Sequence, residues 1–195
     1  TDSGNNRVRA LHPDGTLSTY AGGAGGSGLP LAATRLVGPS GGASDSHGNL
    51  YVGDSGHHRV LRVSPAGMVD LFAGVGAPGY AGDTGPAALA GFGSADARST
   101  TLSGLAVDGQ DNVYVADALN FRIRRISPAG VITTAAGTGT EGFSGDGGPA
   151  IAAQVGEVRK VAVDGAGNLY FVDRGNHRVR KVDTHGIITT VAGNG

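Results

Sequence analysis

Residues 168–182 read Asn-Leu-Tyr-Phe-Val-Asp-Arg-Gly-Asn-His-Arg-Val-Arg-Lys-Val, and the same run of residue types recurs along the chain. Asp2, Asp54, Asp117 and Asp173 stand at equivalent places in this run, 52, 63 and 56 residues apart. A period of this length, filled with short apolar runs that Gly, Asn and Asp separate, is typical of a propeller blade rather than of a helical solenoid. We therefore expect any functional site to lie on a ring.

The repeat and one linker also carry a resemblance to a known family. Residues 141–155 read Glu-Gly-Phe-Ser-Gly-Asp-Gly-Gly-Pro-Ala-Ile-Ala-Ala-Gln-Val. Over its whole length the chain resembles the NHL-repeat β-propellers, specifically the bacterial type whose blades are joined by linkers of the Gly-Phe-Ser-Gly-Asp-Gly-Gly-Pro-Ala kind. The resemblance implies a binding platform, a sensor or, as in some relatives, an enzyme.

Composition permits a folded core and excludes several classes of site. Of the 195 residues 39% are apolar but only five are Tyr and five Phe, so Val, Leu, Ile and Ala must fill the core. The formal net charge of −1 gives no overall attraction to nucleic acid or to an anionic membrane. The absence of cysteine excludes disulfides and thiolate chemistry, and no apolar run approaches the roughly 20 residues that span a bilayer. The compartment stays open, with an extracellular or periplasmic one favoured.

Apolar runs separated by turn residues predict three and a half four-stranded blades, an all-β fold in a single partial propeller domain over residues 1–195. The predicted units are an outer half-blade at 1–21 and blades at 40–73, 103–136 and 159–192. Short helical turns are expected only in the linkers, at 28–36 and 86–91. Apolar residues three apart, such as Val179 and Val182, depart from strict alternation and predict a bulge or a strong twist in the third strands.

The strand count also predicts association. A closed ring needs at least four blades, and the chain ends on an outer strand, so the half-blade gains no inner strands. One sheet edge and one apolar blade face would then be exposed, and both favour self-association. We expect a two-fold homodimer of about seven blade equivalents, a prediction compatible with the chain being a fragment of a longer parent.

Each blade repeats an Asp and, five residues later, an Arg, and we interpret these residues as scaffold. The Asp ends a strand and is placed to accept N–H bonds from the following turn and to pair with the Arg. Identical copies in every blade argue against a reaction centre, which needs unlike groups. The scaffold residues are Asp54, Arg59, Asp117, Arg122, Asp173 and Arg178. Leu119 stands where the other repeats have Gly, which predicts a different turn in that blade.

Metal and nucleic-acid sites are weaker interpretations. Lyases that resemble this fold hold zinc with histidines around the central channel, but the first strands of these blades, which line it, contain no His. Asp83 and Asp146 occupy equivalent linker positions, where they could bind calcium or, more simply, cap the following turn. Most basic residues recur once per blade around the ring, without the clustering of a nucleic-acid footprint. We predict no metal, no cofactor, no catalytic residue and no nucleic-acid or membrane partner.

Positions that differ between the blades are the best guides to function. Arg159 and Lys160 stand where the preceding blade has Ser103 and Gly104, at a mouth of the central channel. Two adjacent cations in a concave funnel predict a site for a small anion or for the carboxylate of a ligand. The alternative is that they neutralise Glu157 or face solvent.

The sequence therefore predicts a non-catalytic binding or interaction module that takes a protein or a small ligand on a ring face. The alternative is a propeller enzyme, a metal-dependent hydrolase or lyase. Its catalytic residues would lie at the ring centre or on blades outside this chain.

Overall fold

The computed structural model describes residues 1–22, 34–94 and 102–195, which form fourteen strands joined by turns and by single turns of 3-10 helix. The strands make one two-stranded sheet and three four-stranded antiparallel sheets, each a meander in chain order. The predicted partial β-propeller is confirmed. Within the three described ranges, no helix combines the length and the apolar character needed to cross a membrane.

The strands group into a half-blade and three blades, which we number 1 to 3. The half-blade is β1 (Val8–Leu11) and β2 (Leu17–Ala21). Blade 1 is β3 (Pro39–Ser44), β4 (Leu50–Asp54), β5 (Arg59–Val63) and β6 (Val69–Ala73). Blade 2 is β7 (Leu102–Val107), β8 (Val113–Asp117), β9 (Arg122–Ile126) and β10 (Ile132–Ala136). Blade 3 is β11 (Val158–Val163), β12 (Leu169–Asp173), β13 (Arg178–Val182) and β14 (Ile188–Ala192).

The linkers contain the expected short helical turns only in part. A 3-10 turn at Ala87–Leu89 lies inside the predicted range 86–91, and an equivalent turn follows at Ala150–Ala152. Of the other predicted range, residues 28–33 lie outside the described residues, and 34–36 are not helical.

The turn between the second and third strands is a 3-10 turn that ends in a left-handed residue, and it is the same in every blade. In blade 2 the turn is Ala118–Asn120, and the left-handed residue is Phe121, with φ of 50°. Leu119 therefore sits inside the helical turn, and the prediction of a different turn was wrong. Glycine at the equivalent position of blade 1 has a packing cause, since a Cβ on Gly56 would lie 2.3 Å from Val37 Cγ1.

A bulge is present where the third strand of a blade pairs with the fourth. In blade 3 the register between β13 and β14 shifts between Val179 and Arg180, and in blade 1 the register between β5 and β6 shifts between Val60 and Leu61. The extra residue belongs to the fourth strand and not to the third, and it is Val191 in blade 3 and Phe72 in blade 1.

Each blade buries one face against the linker and the blade that follow it. Ile123 and Ala136 of blade 2, for example, pack with Ala153 of the next linker and Phe171 of blade 3. The corresponding face of blade 3 leaves Val191 49% exposed. On the half-blade, Leu11 and Leu17 are 73% and 56% exposed. Self-association through these faces stays a prediction.

Candidate functional site

The turn between the first and second strands has the same construction in all three blades. In blade 2, Asp108 Oδ1 accepts the backbone N–H groups of Gln110 and Asn112, both at 2.9 Å. The same carboxylate accepts the Asn112 side-chain amide at 2.8 Å and the Tyr114 hydroxyl at 3.2 Å. Asp45 in blade 1 bonds in the same way, as does its counterpart in blade 3. We call the ring face that carries these turns the upper face.

On the upper face, the crevice between blades 1 and 2 is closed by Asp111. Its carboxylate accepts the backbone N–H of Ser46 at 2.8 Å and the Ser46 hydroxyl at 2.7 Å, and it lies 3.2 Å from His47 Nδ1. Asp111 has a φ of 60°, where the equivalent turns place Gly48 and Gly167. An aspartate tolerates this left-handed position better than most residues do. We call this contact between the blades the Asp111 latch.

The equivalent crevice between blades 2 and 3 has no latch and is open. Gly109 stands at the position of Ser46, and Gly167 stands at the position of Asp111. Without those side chains a cavity of about 460 Å³ remains, which we call the cleft. Its polar lining comprises Asp108, Gln110, Asn112, Tyr114, Arg125, Asp164, Asp183 and Thr184, and its apolar lining comprises Ala135, Leu169 and Val182.

The charged groups of the cleft are three carboxylates and one guanidinium. Asp183 replaces the serine that blades 1 and 2 carry at the start of the turn between their third and fourth strands. Hydrogen bonds from Asn168, first its side chain and then its backbone N–H, hold the pKa of Asp164 below its usual value. The backbone N–H of Ile187 is the main cause that lowers the pKa of Asp183. Both carboxylates are therefore ionised at neutral pH.

Arg125 and Tyr114 complete one wall of the cleft. Arg125 Nη2 donates to the side-chain oxygen of Asn112 at 2.8 Å, which holds the guanidinium against the turn of blade 2. Burial and the neighbouring Asp108 raise the pKa of Tyr114, so its hydroxyl keeps its proton and donates to that carboxylate. The wall is thus a fixed hydrogen-bonded array on a rigid turn.

Arg159 and Lys160, the predicted anion site, lie elsewhere. They stand at the start of β11, whereas the cleft surrounds the end of that strand. Arg159 pairs with Glu157, which also pairs with Arg174, and donates a longer bond of 3.4 Å to the Ser103 hydroxyl. Lys160 is exposed. The structure therefore contains the Glu157 contact of the alternative interpretation, and the anion site stays a prediction.

The repeated aspartates are fully buried, but their partners differ from those predicted. Each accepts a backbone N–H from the linker that precedes its blade, and not from its own turn. The pairs are Asp54 with Val37, Asp117 with Gly93 and Asp173 with Gly156. The expected pairing with the Arg five residues later occurs in blade 1, where Arg59 Nε lies 2.8 Å from Asp54.

In blades 2 and 3 a different Arg, two positions further on, pairs with the buried Asp. Arg124 lies 3.6 Å from Asp117, and Arg180 lies 3.4 Å from Asp173. Both guanidinium groups are completely buried. The Arg of the predicted pair instead stacks on a linker aromatic ring, as Arg122 does on Tyr80 at 3.7 Å from the ring centroid.

The linker aspartates bind these buried guanidinium groups and do not cap the following turns. Arg124 Nη2 donates to Asp83 at 2.6 Å, and Arg180 Nη2 donates to Asp146 at 2.7 Å. The residue before each 3-10 turn is a proline, and neither turn has a side-chain cap bond. The predicted capping role was wrong, because the carboxylates face the next blade.

The six histidines lie in turns, and two of their rings bond within a few residues. His57 Nδ1 lies 2.8 Å from Asp54, and His12 Nε2 lies 2.8 Å from the Ser18 hydroxyl. Among the described residues, no three His, Asp or Glu side chains gather closely enough to hold a metal ion.

Sequence reasoning missed the cleft, although a signal for it was present. Asp111 occupies a position at which the other two turns have Gly, and a non-glycine residue at positive φ is uncommon. Comparison of the aligned turns would have singled out Ser46 and Asp111, each of which stands where the other two turns have Gly.

Known proteins resemble this chain in sequence and in fold. Residues 135–195 match the family described as the teneurin NHL domain. Teneurin-3 of Mus musculus is 31% identical over 172 residues, which cover 82% of this chain and 6% of that relative. A structural genomics protein of unknown function from Bacteroides thetaiotaomicron superposes with a TM-score of 0.71 at 20% identity, covering 93% of this chain and 42% of the other. Virginiamycin B lyase from Staphylococcus aureus superposes with a TM-score of 0.59 at 15% identity, covering 100% of this chain and 51% of the lyase.

The structural matches and the sequence matches support different conclusions. The chain spans about half or less of the two solved structures and a small part of Teneurin-3, and the two structural likenesses show the fold alone. The sequence matches bear on the repeat itself, because they include the last blade with its Asp, Asn and Arg residues. Taken with the meander of four strands per repeat, they show that this chain belongs to the NHL-repeat β-propeller family.

Proposed function

We propose that this chain is a non-catalytic binding module and that its ligand, a small polar molecule or a polar side chain of a partner protein, enters the cleft between blades 2 and 3. The observation that carries the proposal is the contrast between the two crevices of the upper face. One is closed by the Asp111 latch, and the other is an open cavity of about 460 Å³ with convergent polar groups.

The lining of the cleft favours a ligand that donates hydrogen bonds. Its three carboxylates outnumber its single guanidinium, and the exposed amide of Gln110 and hydroxyl of Thr184 can turn to suit a ligand. Hydroxyl and ammonium groups meet this requirement, whereas an anion would face net repulsion. The apolar floor of Leu169 and Val182 would support the carbon frame of such a molecule.

The ionisation of the lining supports binding over acid-base catalysis. A general acid at neutral pH needs a raised pKa, but the pKa values of Asp164 and Asp183 are lowered by hydrogen bonds. These carboxylates are already engaged by backbone N–H groups of their own turns. They can accept further bonds from a ligand, but they are poorly suited to deliver a proton.

A latch transplanted into the cleft tests the proposal. The double variant Gly109→Ser/Gly167→Asp recreates in the cleft the side chains of Ser46 and Asp111 and should fill it. Amines and polyols that stabilise the wild-type chain in a thermal-shift screen should lose their effect on this variant. Gly130→Asp is the matched control, because it places Asp at another left-handed glycine, outside the lining, with open space around it.

Two outcomes would contradict the proposal. If a ligand has the same affinity for the double variant as for the wild type, its binding site is not the cleft. If a bound compound is instead converted to a product detectable by mass spectrometry, and the double variant loses that turnover, the propeller-enzyme alternative would be correct.

A further inference from the structure

Two linkers bind the blades that follow them through the same set of contacts. We call residues 79–87 and 142–150 the straps, each of the form Gly-aromatic-x-Gly-Asp-x-Gly-Pro-Ala. In the first strap, Asp83 accepts the Arg124 guanidinium at 2.6 Å and the Thr134 hydroxyl at 2.6 Å. The Tyr80 ring lies under two guanidinium groups, those of Arg122 at 3.7 Å and Arg124 at 4.8 Å.

The second strap repeats the arrangement on blade 3. Asp146 accepts Arg180 at 2.7 Å, and the Phe143 ring lies 3.8 Å from the Arg178 guanidinium and 4.8 Å from that of Arg180. Backbone bonds add to both straps, since Ile188 exchanges bonds with the second one at 2.8 and 3.0 Å and Ile132 does so with the first at 2.7 and 3.0 Å.

The charges of strap and blade match. Burial by itself would raise the pKa of Asp83, but hydrogen bonds from Thr134 and Tyr80 and the charge of Arg124 outweigh it and lower that pKa. The strap therefore brings an ionised carboxylate and an aromatic ring to a blade that offers two guanidinium groups and a threonine.

Blade 1 lacks both the Asp-bearing strap and the residues that would bind its carboxylate. We call the blade residues that bind a strap the receptor residues. The linker before it has neither an acidic nor an aromatic residue between Gly22 and Thr34. At the positions of Arg124 and Thr134, blade 1 has Leu61 and Leu71. Where the Asp-bearing strap is lacking, the two residues that would bind its carboxylate are lacking too.

The half-blade has the receptor residues of blades 2 and 3 and not those of blade 1. Its alignment places Arg7, Arg9 and Thr19 at the positions of the two stacking arginines and the threonine. Asp2 accepts the side-chain amide of Asn5 at 3.0 Å, as the equivalent Asp and Asn do in blades 2 and 3. Among the described residues, the Arg9 side chain makes a single hydrogen bond, which it donates to the Ser18 carbonyl at 3.3 Å.

The apolar residue of this receptor is also uncovered. Leu17 is 56% exposed, whereas the residues at its position in the three blades, Val69, Ile132 and Ile188, are fully buried. In blades 2 and 3 that residue is the one whose backbone pairs with the strap. The half-blade therefore presents guanidinium, hydroxyl, apolar and backbone groups in the arrangement that holds a strap.

We infer that the outer face of the half-blade, formed by Arg7, Arg9, Leu17 and Thr19, is a docking site for a peptide segment of the strap type. The aromatic ring of that segment lies against Arg7 and Arg9, its Asp binds Arg9 and Thr19, and its backbone pairs with Leu17. Both straps in this chain are bound to their own blades, and the linker before blade 1 lacks the Asp. The occupant is therefore a strap from outside this chain, and the inference does not depend on the cleft.

A synthetic peptide with the sequence of residues 140–155 is the probe, added to the full chain with amide chemical shifts as the readout. The expected result is a set of shifts centred on residues 7–19. The variant Arg9→Leu/Thr19→Leu, which introduces the residues of blade 1, should weaken binding about tenfold or more, because it removes the charged partner of the Asp. A peptide with Asp146→Asn should weaken it as well. Arg62→Leu, at a half-buried arginine of blade 1 outside these contacts, is the matched control and should change nothing.

A tethered form keeps the test decisive if the free peptide binds weakly. The same peptide, joined to Thr1 through a flexible Gly-Ser linker, is held at an effective concentration on the order of millimolar. It should raise the melting temperature of the chain, and Arg9→Leu/Thr19→Leu should abolish that rise. The inference is overturned if the tethered peptide neither raises the melting temperature nor shifts residues 7–19, or if the double variant responds like the wild type.

Discussion

The junction between blades 1 and 2 and the junction between blades 2 and 3 are alike at the rim and different on the upper face. At the rim, each is bound by a strap whose carboxylate holds a buried arginine, Arg124 in one and Arg180 in the other. On the upper face, the first junction is closed by Asp111 and the second is an open cleft. The strap contacts that the two junctions share are those that the fold requires, whereas the turns of the upper face are free to differ.

The physical reason for this division is burial. Arg124 and Arg180 are completely buried, so their charges must be paired in every blade that has them. The upper turns are largely exposed and satisfy their own backbone groups through Asp108 and its equivalents. Substitution of the three residues between that Asp and the following Asn is therefore structurally inexpensive, and a site can form there in one junction without weakening the other.

The largest expected effect on stability concerns the buried arginines that both junctions share at the rim. Arg124→Leu and Arg180→Leu should each lower the free energy of unfolding by about 3–5 kcal/mol, because each leaves one buried carboxylate, that of Asp117 or Asp173, without its cation. Denaturant unfolding followed by circular dichroism measures both. Leu is the natural choice because blade 1 has Leu61 at this position. If either variant loses less than about 1 kcal/mol, the two junctions are not equivalent at the rim.

The Asp111 latch should contribute a smaller amount. Asp111→Gly removes the bonds to the Ser46 N–H and hydroxyl but also relieves a left-handed aspartate, so we expect a small net loss of stability. Asp111→Asn, which keeps one acceptor oxygen, should lose less. Thermal unfolding of both variants measures the difference. An Asp111→Gly chain as stable as the wild type would mean that the latch does not hold the blades together.

The straps should also make stability depend on acid pH. The pKa of Asp83 and that of Asp146 are both lowered, because hydrogen bonds and a buried guanidinium outweigh the effect of burial. Their contribution is therefore present above about pH 4 and is lost as pH falls through the lowered values. Melting temperatures measured down to about pH 2.5 should fall less steeply in Asp83→Asn and Asp146→Asn than in the wild type. A fall of equal slope in all three proteins would assign the acid sensitivity to other carboxylates.

The smallest effect on stability is expected at the start of β11, on the ring face opposite the upper face. Arg159→Ser/Lys160→Gly gives blade 3 the residues of blade 2 and should change stability by less than about 1 kcal/mol, since Glu157 keeps Arg174 as a partner. If the pair forms an anion site, binding of inorganic phosphate measured by calorimetry should disappear. Unchanged phosphate affinity in this variant would refute the site, and the cleft would remain as the junction's distinguishing feature.

The sequence predicted the blades well because their signals are local. Tyr114, Asp117 and the glycines of the turns recur at fixed spacing, and hydrogen bonds within a few residues enforce the same turns in each copy. The repeated aspartates were also singled out, but their partners were misassigned. Asp117 bonds Gly93, 24 positions earlier, and Arg124 bonds Asp83, 41 positions earlier. Such pairings depend on where the linker crosses the rim, which no local pattern states.

What the sequence by itself determined is therefore the repeat, the order of the strands and the identity of the residues that build each turn. The tertiary structure decided which crevice is closed and which is open. Asp111 and Ser46 are 65 positions apart and belong to different blades, so their contact exists only after the blades pack side by side. The cleft has the same origin, because glycines at 109 and 167 are ordinary turn residues in sequence and become a cavity only when they face one another across a junction.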